Sequence, residues 1–409
     1  MLRVLLIGKG GREHAISWRL SKSAHVEHIY VVPGNGGTAR GSTKVSNVET
    51  VMADDYPSLI KLAKDLQIGL VVAGDDKAVV EGIEGFCSEA NIPCFAPTKA
   101  AATIEGSKTW AKDFMHRHGI PTAAYGNFSN YEQANSYLHT ASYPVVIKAS
   151  GLAAGKGVII AESYYDADEA LQDFMVRGKF GMAGASVVIE EFLDGDEASI
   201  LTFSDGITTR TRHRAKTTSV SSMMTVALTL AVMERIEQDI LRPTFEGLKS
   251  EGLTYTGMLF TGLMLTKSGP KVLEYNARFG DPETQSVLLL LDEDTDLAEI
   301  MVACVDQCLE QVKINIKAGF ACNIVVVASG YPEHFAQGDL IKVGPLPDGV
   351  IIFHAGTRVV DERLVTAGGR VLSVAATGMT LNMAVANAYR AVESIQFAKM
   401  FYRKDIGFK

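Results

Sequence analysis

The amino-acid sequence predicts a multidomain protein of mixed α/β and α+β character. An N-terminal parallel α/β domain is followed by a central core carrying a small lid domain, then by a small β-rich C-terminal domain. Three observations predict this. A length of 409 residues corresponds to roughly three domains. Strands and helices alternate from Leu2 to Ala96, the pattern of a parallel sheet with crossover helices. Beyond Gly319, short strands are punctuated by turns at Gly330-Tyr331-Pro332, Pro345–Gly349 and Gly368-Gly369. The expected boundaries are 1–106, 107–318 with the lid at about 122–191, and 319–409.

The elements follow in order. Leu2–Ile7 is an apolar strand, followed by Gly8, Gly10 and Gly11 and an amphipathic helix from about Arg12. Ile29–Val32, Leu70–Ala73 and Pro93–Ala96 read as strands, and Lys61–Gln67 and Val79–Ala90 as helices. A dinucleotide site is the obvious rival for the first turn. The sixth position of a G-x-G-x-x-G pattern starting at Gly8 is Glu13, and the second strand ends in Pro33-Gly34-Asn35 with no acid for a ribose. A phosphate at the helix N-terminus, held by backbone groups of Gly10, Gly11 and Arg12, fits better. A helix is expected around Thr109–His118. Pro121 introduces the lid, with strand, helix and strand up to about Glu191. Thr256–Thr266 and Lys271–Asn276 read as core strands, and Leu381–Ser394 as the one helix of the last domain.

Val145–Ile160, V-V-I-K-A-S-G-L-A-A-G-K-G-V-I-I, carries the strongest chemical signal. Two apolar strands flank a loop with Gly151, Gly155 and Gly157. Lys148 sits at the end of the first strand and Lys156 among the glycines. Glycines let backbone N–H groups approach an anion, and lysine adds a point charge. Strands on both sides make this a hairpin lid over phosphates. It is not a Walker loop: three residues separate Gly151 from Gly155, and Gly157 follows the lysine where Ser or Thr would be needed for magnesium. A glycine-rich hairpin with solvated lysines is the plain alternative.

Metal ligands must then come from elsewhere. In Lys271–Glu283, K-V-L-E-Y-N-A-R-F-G-D-P-E, strand alternation puts Glu274, Asn276 and Arg278 on one face and Leu273, Tyr275 and Ala277 on the other. Carboxylate and amide oxygens are hard ligands suited to Mg²⁺, and an arginine one step further can hold a phosphate or carboxylate. Between these blocks, Val187–Ser199 ends a buried strand in Glu190 and Glu191, with Glu197 beyond a turn. That arrangement suits a base pairing with backbone groups and a ribose facing a carboxylate. An ordinary acidic turn reads equally well.

Together these blocks resemble the ATP-grasp superfamily, and within it the glycinamide ribonucleotide synthetase family. The resemblance spans nearly the whole chain. It includes G-K-G-G-R-E-H-A at Gly8–Ala15, P-G-N-G-G-T-A at Pro33–Ala39, E-G-S-K at Glu105–Lys108 and G-L-A-A-G-K-G-V-I at Gly151–Ile159. It continues through E-E-F-L-D-G-D-E-A-S at Glu190–Ser199 and R-F-G-D-P-E-T-Q at Arg278–Gln285. F-H-A-G-T at Phe353–Thr357, G-G-R-V-L at Gly368–Leu372 and Y-R-K-D-I-G at Tyr402–Gly407 complete it.

The resemblance implies an ATP-grasp core with a hinged lid. It implies ligation of glycine to 5-phosphoribosylamine through glycyl phosphate, with ATP becoming ADP and phosphate. Lys108, Lys148, Lys156 and the loop glycines Gly151, Gly155 and Gly157 would hold phosphates. Glu190, Glu191 and Glu197 would surround adenosine, and Glu274 and Asn276 would hold Mg²⁺ or Mn²⁺. Arg278 and Lys156 would act in catalysis. Gly10, Gly11, Arg12, Asp281 and Arg370 would hold the phosphoribosyl substrate. For Arg370 a turn ion pair is an equal alternative, and His14 reads as structural. In eukaryotes the family is often fused to a later pathway enzyme, so a cut-out domain of a longer protein is one reading.

Two departures stand out. Asp75-Asp76-Lys77-Ala78-Val79-Val80 replaces the family's P-E-A-P-L-V, at a position that the resemblance puts near the phosphoribosylamine site. Thr208–Thr225 lacks the family's D-H-K-R and P-N-T-G-G-M-G, having neither glycine nor acid, so His213 and Arg214 take no family role. Two other readings stay open: an inactive or regulatory nucleotide-binding homologue, favoured by that segment, and a carboxylase or formyl-transfer relative, which should lack R-F-G-D-P-E.

Composition bounds the partners. With 47% hydrophobic and 21% charged residues the chain is an ordinary globular protein, and a net charge of −8 speaks against a nucleic-acid-binding face. Met1–Ile7 does not resemble a signal peptide, and Met223–Met233 is too short to cross a bilayer, so no membrane partner is expected. Five cysteines without a C-x-x-C pair suit a reducing cytoplasm, with Cys304 and Cys308 expected on one helix.

Overall fold

The computed structural model describes residues 1–153, 155–211, 217–218 and 229–407. The first 95 residues build a fully parallel five-stranded sheet. Its order is Val45–Asn47, Val26–Pro33, Leu2–Gly8, Leu70–Ala73, Cys94–Phe95. Alternation explains why the strands are apolar throughout. Leu5 and Ile7 pack into one hydrophobic cluster, Val4 and Leu6 into another, so both faces are covered.

Two helix boundaries differ from the sequence reading. The helix expected at Lys61–Gln67 starts earlier, at Tyr56, because Asp55 caps it by accepting from the Ser58 N–H and Pro57 lies in its first turn. The single helix expected over Val79–Ala90 is two, Asp76–Glu81 and Ile83–Glu89. Gly82 between them has φ +92°, a left-handed conformation that ends the first helix.

The lid is a four-stranded antiparallel sheet in the order Tyr125–Phe128, Val187–Glu191, Val145–Ala149, Val158–Ala161. Helices Tyr131–Leu138 and Tyr164–Leu171 cover one face, where Ile147 and Ile189 meet Leu138, Leu171 and Phe174. The register Val146↔Glu190 and Lys148↔Val188 puts Lys148 and Glu190 together on the other face.

The core sheet is antiparallel, ordered Thr209–Thr211, Asp196–Asp205, Thr256–Thr266, Gly269–Asn276. Gly262 pairs with Glu274 and Leu263 with Val272, so Leu273 is an extra, bulged residue. The C-terminal sheet runs Thr217–Thr218, Phe320–Val327, Arg370–Gly378, Val350–His354, with helix Leu381–Val392 packed on it. The expected fold class is therefore what is observed. Of Thr208–Thr225, residues 212–216 and 219–225 lie outside the described residues, as do 223–228 of the apolar run Met223–Met233. No described helix is long and apolar enough to cross a membrane.

Cys304 and Cys308 do not share a helix. The helix Leu297–Val305 closes with Gln307 at φ +57°, and the Cys308 N–H donates back to the Ala303 carbonyl at 2.9 Å. Cys304 is buried and Cys308 half-buried, both as free thiols.

His14 is structural, as expected. Its Nδ1 accepts from the His354 N–H at 2.8 Å, and Phe353 meets its ring edge-on. Asn35 Nδ2 donates to the His354 carbonyl at 2.8 Å, and the Gly36 N–H donates to the Thr357 carbonyl at 3.1 Å. The P-G-N-G-G-T-A and F-H-A-G-T blocks thus join the first sheet to the last. Burial, with His354 adding, lowers the His14 pKa to about 3; burial, with Arg40 adding, lowers that of His354 to about 4. The unfolded chain protonates both below about 6.5, whereas the folded chain keeps them neutral. The stability they give is complete above pH 6.5 and is lost between pH 6.5 and 3. The urea midpoint is expected to fall across that window, and less steeply in His354→Leu; equal slopes would contradict it.

Candidate active site

The lid, the core sheet and the first and last sheets surround one cavity of about 1300 Å³. The lysine block forms the expected hairpin, with Val145↔Ala161 and Lys148↔Val158 paired. Gly155 adopts φ +74° and is open to solvent. Gly157 is buried against Ala149 and Ala153, leaving no room for a side chain. Gly155, exposed Lys156 and Gly157 line the cavity. Gly151 does not: it packs on Ala183, to whose carbonyl its N–H donates at 3.0 Å.

Helix Lys108–Arg117 is capped by Ser107, which accepts from the Trp110 N–H. It brings Lys108 to the same cavity. Among the described residues no carboxylate lies within 4.0 Å of Lys108, and burial lowers its pKa although Glu274 raises it. Lys148 is buried, 3.0 Å from Glu190, and donates to the Leu273 carbonyl at 2.9 Å. The bulge at Leu273 turns that carbonyl toward the lysine, one residue before Glu274.

Glu274, Asn276 and Arg278 line the cavity together; Leu273 and Tyr275, expected on the opposite face, reach its lining too, although the Tyr275 hydroxyl is buried and shares a hydrogen bond with Thr244 at 2.7 Å. Gly262 opposite Glu274 carries no side chain, which leaves space beside the carboxylate. The described residues hold no cluster of three or more His, Cys, Asp or Glu suited to a metal. One carboxylate and one amide are therefore a partial shell. Mg²⁺ ordinarily takes one or two carboxylates and fills the rest with phosphates and water, so the donor set fits that ion.

The three glutamates separate. Glu190 is buried and lines the cavity. Glu191, the next strand residue, points outward: its carboxylate accepts from Lys271 at 2.8 Å and from the Ala124 N–H at 3.0 Å. Glu197 is exposed and outside the cavity lining, but burial of its carboxyl and the nearby Glu274 raise its pKa.

At the far end, Glu13 alters the first helix. Its Oε2 accepts from the Gly10 N–H at 2.5 Å, and its other oxygen pairs with Arg12. This carboxylate stands over Gly8 and Gly74, where a dinucleotide pyrophosphate would have to lie, and it takes the Gly10 N–H expected for a substrate phosphate. Gly11 is buried against Gln285 and does not line the cavity, whereas Gly10 and Arg12 do. Arg370 pairs with Asp281 at 2.9 Å, and Gln285 donates to Asp281 at 3.0 Å. Burial raises the Asp281 pKa, but Arg370 and Arg12 bring it below the usual carboxylate value. Arg370 is thus both a turn ion pair and a cavity residue.

Sequence reading did not assign Glu13, Glu105, Glu283, Glu333, Lys9, Lys112 or Lys179 to the site, yet all line the cavity, as do Asp75 and Asp76 of the block that departs from the family. Only the i,i+4 spacing from Lys108 could have flagged Lys112. Glu105 pairs with Arg278 at 2.9 Å and accepts from the Ala277 N–H at 2.7 Å. Arg278→Met leaves that carboxylate buried and unpaired, and is expected to cost about 3–5 kcal/mol in chemical denaturation. Adding Glu105→Gln should restore part of it; no restoration would count against this pairing.

The sequence matches the family described as phosphoribosylglycinamide synthetase, N domain, over residues 2–105. It matches that family's ATP-grasp (A) domain over 106–284 and its C domain over 321–409. A bifunctional purine biosynthetic protein of Schizosaccharomyces pombe is 50% identical over 98% of this chain and 53% of its own length. The chain thus spans about half of that relative. A phosphoribosylamine–glycine ligase of Allochromatium vinosum is 43% identical over 99% of this chain and 98% of its own. The crystal structure of a Thermotoga maritima phosphoribosylamine–glycine ligase matches with TM-score 0.78 at 32% identity, covering 99% of this chain and all of that one.

Proposed function

Because the chain belongs to the phosphoribosylglycinamide synthetase family, we propose that it joins glycine to 5-phosphoribosylamine at the expense of ATP, in purine biosynthesis. The observation that carries this reading is the single cavity shared by Lys108, Lys148 and Lys156, by Glu274 and Asn276, and by Arg278, Asp281 and Arg370. Cations for phosphates, hard oxygen ligands and a second anion-binding end lie in one enclosure.

A carboxylate is a poor electrophile, so glycine must first be activated. Lys108, Lys148 and Lys156 hold the phosphates of ATP, and Glu190 lies beside the nucleoside. Glu274 and Asn276 would hold Mg²⁺ or Mn²⁺, which would supply positive charge to neutralise the phosphates. Arg278, fixed by Glu105, steadies the glycine carboxylate as it takes the γ-phosphate. The amine of phosphoribosylamine then attacks the glycyl phosphate carbonyl and phosphate leaves. Arg12, Asp281 and Arg370 hold the phosphoribosyl end, and the hairpin shields the acyl phosphate from water. Domains of 1–106, 107–318 and 319–409 fit this division of labour. The likeness to a bifunctional relative supports a further domain in the full-length protein.

The test is ATP turnover that requires glycine and phosphoribosylamine together. ATP hydrolysis indifferent to either substrate would point to another reaction. Two variants refine it. Glu274→Ala is expected to abolish turnover at ordinary Mg²⁺ while leaving the circular dichroism spectrum unchanged; near-normal turnover would sink the metal assignment. Lys156→Ala should lower kcat roughly 10²–10³-fold, the cost of removing one preorganised donor. Unchanged kcat would place the lysine outside the reaction.

A further inference from the structure

Lys112 is 2% exposed, yet it carries a charge that no phosphate, metal or substrate assignment above uses. It lies one helical turn after Lys108 and 2.9 Å from Glu190 Oε2. Lys148 approaches the other oxygen, Oε1, at 3.0 Å. One carboxylate, itself 2% exposed, therefore faces two lysines.

The two lysines are held differently. Lys112 donates to Thr122 Oγ1 at 2.7 Å, and Thr122 donates onward to the Val272 carbonyl at 2.6 Å. Lys148 directs its hydrogen bond to the Leu273 carbonyl, and Glu190 Oε1 accepts no hydrogen bond of good geometry. Lys112 is anchored by a neutral relay, whereas Lys148 touches Glu190 by charge alone. A buried carboxylate that loses its last cation is strongly destabilised. Were Lys148 the sole partner of Glu190, its departure for a phosphate oxygen would leave such a charge behind.

We propose that Lys112 is a positioning residue: it keeps Glu190 neutralised and fixed, so that Lys148 can exchange Glu190 for a phosphate oxygen of the incoming nucleotide. The proposal rests on the nucleotide-binding reading above. It goes beyond it by making the availability of Lys148 depend on a residue to which that reading gives no substrate contact.

The experiment is a double-mutant cycle on nucleotide affinity, measured by calorimetry with ATP and Mg²⁺ on the whole chain. Lys112→Gln keeps a hydrogen-bonding group and removes the charge; it is expected to weaken ATP binding roughly tenfold, the size of one charge-assisted contact. In a Lys148→Met background the same substitution should change affinity by less than about twofold. Lys112→Arg, which keeps the charge, should stay close to wild type. Thermal melting checks the fold. Should the double variant, whose Glu190 has neither lysine, not fold, the cycle is repeated with Lys112→Arg in place of Lys112→Gln. The charge retained in Lys112→Arg should leave affinity close to the parent in both backgrounds, and a loss there would overturn the proposal. An equal fold-loss in both backgrounds would mean that Lys112 is merely structural and would overturn the proposal, as would full affinity in Lys112→Gln. A wild-type chain that binds no ATP would overturn the nucleotide-binding reading and this proposal with it. Normal wild-type binding that is weakened by Lys148→Met but untouched at Lys112 would overturn this proposal alone.

Discussion

Burying lysines around one cavity sets the terms for the rest of the structure. Cations taken out of water cost several kcal/mol each unless anions stand near them. Here the compensation is deliberately unequal. Lys112 and Lys148 share Glu190, while Lys108 has no carboxylate within 4.0 Å among the described residues and feels Glu274 at longer range. The cavity therefore keeps positive charge near the lysine hairpin that a polyphosphate can satisfy. At the opposite end the balance is inverted. Glu13, Asp75, Asp76 and Asp281 crowd around Arg12 and Arg370, and burial together with Asp76 raises the Asp75 pKa. An amine substrate carrying a phosphate is suited by that mixture of signs.

The fold serves this charge layout by bringing side chains from separate sheets within hydrogen-bonding reach. The lid contributes Lys148 and Glu190 from the face of its sheet turned away from its own two helices. The core contributes the carbonyls of Val272 and Leu273, exposed by a bulge, and the acidic strand that follows. The last sheet contributes Arg370, and the histidine-lined junction between the first and last sheets holds it in register with Asp281. Charge placement and packing are one problem here: Lys148 is fixed by the Leu273 carbonyl and Glu105 by the Ala277 N–H, backbone groups of a neighbouring unit.

Much of this was legible in the sequence because it is local. Apolar runs marked the main strands of the first sheet, the lysine hairpin and the two long core strands, and the Glu274–Asn276–Arg278 face follows from spacing alone. What spacing could not reveal depends on contacts between residues far apart in the chain. Glu105 meets Arg278 and Lys112 meets Glu190 only after three units have assembled. Glu13 looked like a mere failure of a glycine pattern, yet its carboxylate occupies the helix terminus that the pattern would otherwise offer to a phosphate. Glu191 followed Glu190 in sequence but, one strand residue on, necessarily faces the other way. Helix ends shifted wherever a left-handed residue, Gly82 or Gln307, intervened.

The proposed ligation requires a γ-phosphate aimed at a carboxylate inside the lysine and Glu274 enclosure. Glycine labelled with ¹⁸O in its carboxylate tests that directly, with released inorganic phosphate analysed by mass spectrometry. Transfer of one ¹⁸O into phosphate per ligation event is the expected result. Ligation that proceeds with unlabelled phosphate would exclude an acyl phosphate and contradict the account.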